Sequence, residues 1–241
     1  QKAELKEIFD RHFKKSRGKL SKAYDCSQNS FLESVCSVMD GRIPKCILRE
    51  HYRCHPQIIG FCNEKFYNGE LIVMTEYTDD NALQLVTTVP GSHKRGRINQ
   101  RQVDVIGQEV IPSLHEPASE IGVIAPYRDQ VEQIKEELKN TGVDVATVHK
   151  FQGREKDVII LSTADDTITE FADNPNLMNV AVSRAKKKLV LVASPQKQPE
   201  GSNLGDLIGY MRRHRCAEFQ SEISSVFDYL YSEYAESRKE Y

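Results

Sequence analysis

Arginines, a tyrosine, a glycine and a glutamate recur in four short segments of this chain, each adjoining a run of apolar residues. The first segment is Arg49-Glu50-His51-Tyr52-Arg53-Cys54-His55-Pro56. An arginine there can grip a phosphate through paired N–H donors, and the neighbouring tyrosine can stack on a base. A helix-capping loop with a surface arginine would read the same way. The second is Ala125-Pro126-Tyr127-Arg128-Asp129-Gln130, a strand end opening a helix whose first amides can hold a backbone phosphate. The third runs from Thr147 through Val148-His149-Lys150-Phe151-Gln152-Gly153-Arg154-Glu155-Lys156 to Asp157. It carries more polar chemistry than a turn requires: Gly153 permits close backbone approach and Glu155 can accept a hydrogen bond from a ribose hydroxyl. The fourth, Asn179-Val180-Ala181-Val182-Ser183-Arg184-Ala185-Lys186, has small residues suited to a helix packed closely on a sheet, with Arg184 at its end.

The elements that must position these groups follow from hydrophobic pattern. Ile121–Ala125, Val143–Val148, Val158–Leu161 and Leu189–Ala193 are continuous apolar runs, as expected of strands covered on both faces. Cys46–Leu48 and the alternating Leu83–Val89 are two more expected strands. Helices are expected at Gln57–Phe66 (with Pro56 in the first turn), Arg101–Leu114, Tyr127–Asn140 and Leu177–Lys187. Strand–helix alternation of this kind predicts an α/β fold with a doubly wound, mainly parallel sheet flanked by helices. In such sheets ligands collect beyond the carboxyl ends of the strands, so the four segments are expected to lie there.

Three parts are expected along the chain. Residues 1–44 form a helical connector and the start of the domain that follows, with an amphipathic helix carrying Leu5, Ile8, Phe9 and Phe13 and a short helix near Phe31–Met39. Residues 45–200 form the sheet domain, in which His93–Gln100 is a basic loop. Residues 201–241 hold two helices, Asn203–His214 and Glu218–Tyr234, packed on that domain. The second presents Phe219, Ile223, Val226, Phe227, Leu230, Tyr231 and Tyr234 as one stripe.

Bulk properties exclude little. A 39% hydrophobic, 28% charged chain with net charge −2 is globular rather than disordered, and it announces no polyanionic partner. No apolar run approaches the ~18 residues of a membrane span, so no membrane partner is expected. The six cysteines form no C-x-x-C pair, and Cys54, His55 and Cys62 match no common zinc spacing. Free thiols in a reducing, cytoplasmic setting and no bound metal are the expectation.

Taken together, "LREHYRCHPQIIGFCNEKFYNGEL", "IGVIAPYRDQVEQI", "VATVHKFQGREKDVIILSTA" and "LMNVAVSRAKKKLVLVAS" closely resemble the later motifs of superfamily 1 helicases, in order, over Leu48–Ser194. The resemblance is strongest to the subgroup of the nonsense-mediated-decay helicase and the replication helicase–nuclease. It implies a RecA-like domain of the P-loop NTPase type, the second of two that clamp ATP and Mg²⁺ between them. On that resemblance Arg53 and Arg184 are the arginine fingers and Tyr52 lies beside the adenine. Gly153 and Glu155 meet the sugar and phosphate side, and Gln152 links nucleotide and nucleic acid. Pro126, Tyr127, Thr147, His149 and Lys150 are the expected contacts to single-stranded DNA or RNA. His149 stands where many relatives carry an acidic residue.

The absences shape the expectation too. No G-x-x-x-x-G-K-[ST] phosphate loop occurs in the chain, and no paired Asp-Glu magnesium motif precedes Cys46. Gln1 is an improbable natural start, so the chain is expected to be the second half of a longer motor, monomeric, partnered by the first RecA-like domain of the same parent. Alone it is expected to hold no tightly bound cofactor, to lack ATPase activity and to bind a strand weakly. The alternative is a nucleic-acid-binding or regulatory module without a motor.

Overall fold

The computed structural model describes residues 2–39, 42, 44, 46–77, 81–91 and 93–225. They divide into two compact units, Gln1–Leu48 and Arg49–Tyr241. The first unit holds helix α1 (Lys2–Lys15), a 3-10 turn at Lys22–Tyr24 and helix α2 (Phe31–Val38). A reciprocal cap starts α2: the Glu33 amide donates to Ser30 Oγ at 3.2 Å, and the Ser30 amide donates to Glu33 Oε2 at 2.6 Å. Within this unit Lys6 Nζ donates to Asp25 at 2.5 Å.

The second unit is built on a six-stranded parallel sheet. Before it come β1 (Glu50–His51), α3 (Pro56–Phe66) and β2 (Ile72–Val73), with β1 and β2 forming a small parallel pair of their own. The short strand expected at Cys46–Leu48 is therefore displaced to Glu50–His51. Ile47 and Leu48 are exposed, and the backbone pairing begins only where Arg49 O accepts from the Ile72 amide. Next come β3 (Leu83–Thr87), β4 (Lys94–Arg95) and β5 (Ile98–Asn99). β4 and β5 make an antiparallel hairpin where the sequence suggested a loop. α4 (Gln100–Val105), a π turn (Ile106–Val110) and α5 (Ile111–Ser113) run on as one helical stretch.

After β6 (Ile121–Ala125) the chain alternates through α6 (Arg128–Glu137), β7 (Asp144–Thr147), β8 (Lys156–Ser162), α7 (Pro175–Val182), β9 (Ala185–Ala193), α8 (Asn203–Arg213) and β10 (Ala217–Gln220). The strand order is β10-β3-β9-β8-β6-β7, and every pairing in it is parallel.

Alternation explains the continuous apolar runs. Leu189, Leu191 and Ala193 of β9, with Ile159 and Leu161 of β8, face a core closed by α3, α7 and α8. Their neighbours Val190, Val192, Val158 and Ile160 face the opposite core, closed by the α4–α5 stretch and α6. Both faces are covered along Val158–Leu161 and Leu189–Ala193, so those stretches hold no polar residue.

Two expected helix ends change. The helix expected to reach Lys187 stops at Val182, because Ala185–Lys188 are drawn into β9 by pairing with Lys156–Val158. The helix expected from Glu218 is a strand over Ala217–Gln220, which pairs with Gln84–Thr87 at the sheet edge. The β3 edge offered unpaired backbone groups, and satisfying them outweighed the helical spacing. Val226, Phe227, Leu230, Tyr231 and Tyr234 of the expected stripe lie outside the described residues.

Candidate functional site

The amino-terminal edge of β8 and β9 gathers three of the residues singled out above. The Lys156 amide donates to Arg184 O at 3.1 Å, which sets Glu155 and Arg184 side by side where the two strands begin. The segment before α3 is drawn onto the same edge: the His55 amide donates to Lys186 O at 2.7 Å, and Cys54 Sγ donates to Ser183 O at 3.4 Å. His55 caps α3, its Nδ1 accepting from the Gln57 amide at 3.1 Å, so the residues ahead of it are fixed by the helix they introduce.

Arg53 lands beside Glu155, to which its Nη1 donates at 3.2 Å. Its Nε is buried and has no hydrogen-bond partner among the described residues. Arg184 turns back along α7, donating from Nε to Val180 O at 3.2 Å and from Nη1 to Arg154 O at 3.3 Å. It thus meets carbonyl oxygens, while Arg53 holds the carboxylate. Burial, and then the neighbouring Arg53 charge, depress the Arg184 pKa below its ordinary value. His51 is likewise held below the usual histidine range, by burial first and Arg53 second. Its Nε2 accepts from the Cys54 amide at 2.9 Å, which suits a neutral ring. Tyr52 is 65% exposed, and its hydroxyl donates to Glu50.

One guanidinium on the Glu155 carboxylate, a second beside it that meets carbonyl oxygens, and a buried donor unused leave positive charge that an anion could meet. The chemistry fits phosphate, and the open ring of Tyr52 nearby in sequence fits a base. Among the described residues no group of histidines, cysteines and carboxylates could hold a metal ion. Cys54 and Cys62 are fully buried, and burial raises the pKa of both thiols.

The loop between β7 and β8 joins this edge to the other. It leaves β7 at Thr147 and returns to the start of β8 at Lys156. Tight turns carry it: the Lys150 and Phe151 amides both donate to Thr147 O, at 2.9 and 3.0 Å. Phe151 is wholly buried and anchors it. Its ring occupies the space above Gly122 of β6, where an added Cβ would lie 2.6 Å from the ring tip. Gly153, at φ +82°, takes the left-handed turn that delivers Glu155, and Gln152 is exposed beside it.

At the carboxyl edge stand Pro126 and Tyr127 after β6, and Thr147, His149 and Lys150 after β7. His149 and Lys150 are exposed; Thr147 is 9% exposed. Tyr127 is more enclosed than its sequence context suggests. Its ring stacks on Phe171 with centroids 5.8 Å apart, and its hydroxyl donates to Asp165 Oδ2 at 2.9 Å. Burial raises its pKa, against a lowering hydrogen bond with Thr169.

The four segments therefore do not converge beyond the carboxyl ends. Arg53, Glu155 and Arg184 lie at the amino edge, while Pro126, Tyr127, Thr147, His149 and Lys150 lie at the carboxyl edge. Chain direction already carried this: Glu155 and Arg184 precede their strands, whereas Pro126, Tyr127, His149 and Lys150 follow theirs. Sequence reading also missed a buried polar network beyond β8. Ser162 Oγ donates to Gln102 Oε1 at 2.8 Å, Gln102 Nε2 donates to Thr163 Oγ1 at 2.9 Å, and Gln130 Nε2 donates to Ser162 Oγ at 3.2 Å. The signal available was the pair Asp165-Asp166 directly after a dry strand, where a turn would not require two acids.

Comparison with known proteins bears on this arrangement. A family model described as an AAA domain matches residues 27–196. An uncharacterized ATP-dependent helicase of Caenorhabditis elegans is 31% identical over 178 residues, 65% of this chain and 12% of that protein. The regulator of nonsense transcripts 1 homolog of Neurospora crassa is 30% identical over 183 residues, 62% of this chain and 16% of that protein. The DNA replication ATP-dependent helicase/nuclease of Mus musculus is 39% identical over 100 residues, 39% of this chain and 9% of that protein.

The chain belongs to the AAA-domain family of superfamily 1 helicases.

Within that family it has the RecA-like, parallel α/β fold of a helicase C-terminal domain, and the relatives it resembles include a regulator of nonsense transcripts and a replication helicase/nuclease. The match spans a sixth or less of each of these relatives.

Proposed function

We propose that the chain is the second RecA-like half of an ATP-dependent superfamily 1 helicase, in which Arg53 and Arg184 supply arginine fingers to ATP. The observation that carries this reading is the under-paired amino edge, where Arg53 meets Glu155 and leaves its Nε unused while Arg184, set beside Glu155, meets carbonyl oxygens. A bound ATP·Mg²⁺ would supply the phosphoryl group, with the phosphate loop and magnesium-binding carboxylates coming from the first domain of the parent. Arg53 and Arg184 then neutralise charge developing on the transferred group, Tyr52 lies against the base, and Gly153 and Glu155 meet the sugar. Gln152 joins that site to the strand.

The strand, single-stranded DNA or RNA, runs past Pro126, Tyr127, Thr147, His149 and Lys150 at the opposite edge. The exposure of His149 and Lys150 directly beyond β7 supports that placement. The Phe151-anchored loop, which touches both edges, is the physical route by which nucleotide and strand sense each other.

Alone, the chain lacks the phosphate cradle, so turnover is expected to be negligible. The test measures ATP turnover by the chain, and by a longer protein in which a phosphate-loop domain precedes it. Turnover only in the longer protein, lost on Arg53→Ala, is the expected result. Turnover by the chain alone that Arg53→Ala abolishes would overturn the half-site reading.

A further inference from the structure

The hairpin β4–β5 lies at the carboxyl edge and carries Lys94, Arg95 and Arg97 within four residues, turning at Gly96 with φ +59°. Two residues per strand cannot hold a hairpin together in water. This one is held from below by two carboxylates. Asp166 Oδ2 accepts from the His93 and Lys94 amides at 3.2 and 3.3 Å, and its Oδ1 accepts from Asn99 Nδ2 at 3.0 Å. Asp165, whose side chain is fully buried, pairs with the Lys94 ammonium. Gln130 Oε1 accepts from the Asn99 amide at 2.8 Å.

Burying a carboxylate is costly unless its partners are well placed, so this anchorage fixes the hairpin at the expense of a dry charge. What it fixes is a basic tip. Arg95 and Arg97 are exposed, and among the described residues Arg97 has no carboxylate within ion-pair distance. The tip also stands beside the strand-facing residues: Arg97 Cζ is 6.0 Å from the centre of the Tyr127 ring, and Lys94 Nζ is 5.4 Å from it. Lys150 is a further exposed cation at that edge, also without a carboxylate partner among the described residues.

We propose that the hairpin tip, through Arg95 and Arg97, grips the sugar–phosphate backbone of single-stranded nucleic acid, extending the strand's path beyond Pro126–Lys150. The inference rests on the strand-binding reading above. Because the contact is to phosphate, it acts equally on all base sequences.

Fluorescence anisotropy of a labelled single-stranded oligonucleotide, titrated with the chain at several salt concentrations, tests it. Arg95→Ala combined with Arg97→Ala should weaken binding on the order of tenfold and reduce the slope of log K against log salt by roughly 1.4, about 0.7 per lost phosphate contact. The melting temperature should shift little, since both side chains are exposed, Arg95 meeting the Lys94 carbonyl and Arg97 the Tyr127 ring. Unchanged affinity and slope in that variant, alongside weakened binding on Lys150→Ala, would sink the hairpin proposal and leave the strand reading standing. No binding by the unaltered chain at low salt would sink both.

Discussion

The two edges of the central sheet use charge in opposite ways. At the amino edge, Arg53 meets one carboxylate, Glu155, Arg184 meets carbonyl oxygens, and a buried guanidinium N–H of Arg53 goes unused. At the carboxyl edge, Asp165 and Asp166 accept from backbone amides, Tyr127, Thr169, Asn99 and Ser194, and Asp165 also pairs with Lys94. The first arrangement leaves positive charge short of partners, which is what the proposed anionic ligand would use. The second spends its charges on internal structure, and presents cations only at the tips of what it holds. On the proposed function, under-pairing marks where a ligand completes the site, and over-pairing marks what positions a surface.

Predictions that break or sharpen this contrast differ in size. Removing Arg184 (Arg184→Ala) should lower ATP turnover in the longer, phosphate-loop-bearing protein by about 10³ or more, with strand affinity measured by anisotropy unchanged. Equal losses in both would show that the two edges are one site. Arg184→Lys should rescue little, because an ammonium cannot reproduce the fork that reaches both Val180 O and Arg154 O.

Next is the loop that joins the edges. Phe151→Ala should destabilise the sheet unit by about 3–5 kcal/mol in urea titration, since a fully buried ring would leave a cavity over Gly122. A cost under about 1 kcal/mol would mean the ring is not what pins Thr147 to Glu155.

Asp165→Ala should cost about 1–3 kcal/mol, leaving the Tyr127 hydroxyl, the Thr169 amide and Lys94 without their acceptor. In hydrogen exchange, protection should fall at Lys94 and Asn99 and persist at Lys156, at the amino edge. Uniform loss of protection would contradict the local anchoring role.

The smallest effect is expected from His51. Its folded pKa lies below the ordinary 6.5, so the unfolded chain takes up a proton first as pH falls. Its contribution to stability is complete above pH 6.5 and is lost progressively below it, as pH falls toward and through the folded value. Stability measured at pH 7.5 and pH 5 should drop more for the unaltered chain than for His51→Gln. An identical drop would mean that His51 is not held neutral beside Arg53.

Much of this was legible without coordinates. The dry strands declared themselves because both faces are covered, so Val158–Leu161 and Leu189–Ala193 have no polar position to obscure them. Arg53, Glu155 and Arg184 stood out because few side-chain types are suited to phosphate, and the structure brings these three to one edge. Other features were not. Phe151 reads as one apolar residue in a polar loop, and its anchoring role appears only with Gly122, 29 positions earlier in the chain and on another strand. The Ala217–Gln220 strand carried a helical stripe, and only the open β3 edge made extension the better solution.

By itself, then, the sequence determined that a parallel α/β sheet forms, where five of its six strands lie, and which side-chain types are suited to phosphate. Pattern and residue type are local properties, and burial on two faces imprints them directly. Only the tertiary structure decided that Arg53, Glu155 and Arg184 meet at one end of the sheet while Tyr127 and Lys150 stand at the other. It also decided that two acids after β8 hold a basic hairpin rather than repel a polyanion. Those outcomes depend on strand direction and on pairings such as Lys156 with Arg184 and Asp165 with Lys94, which join residues 28 and 71 positions apart.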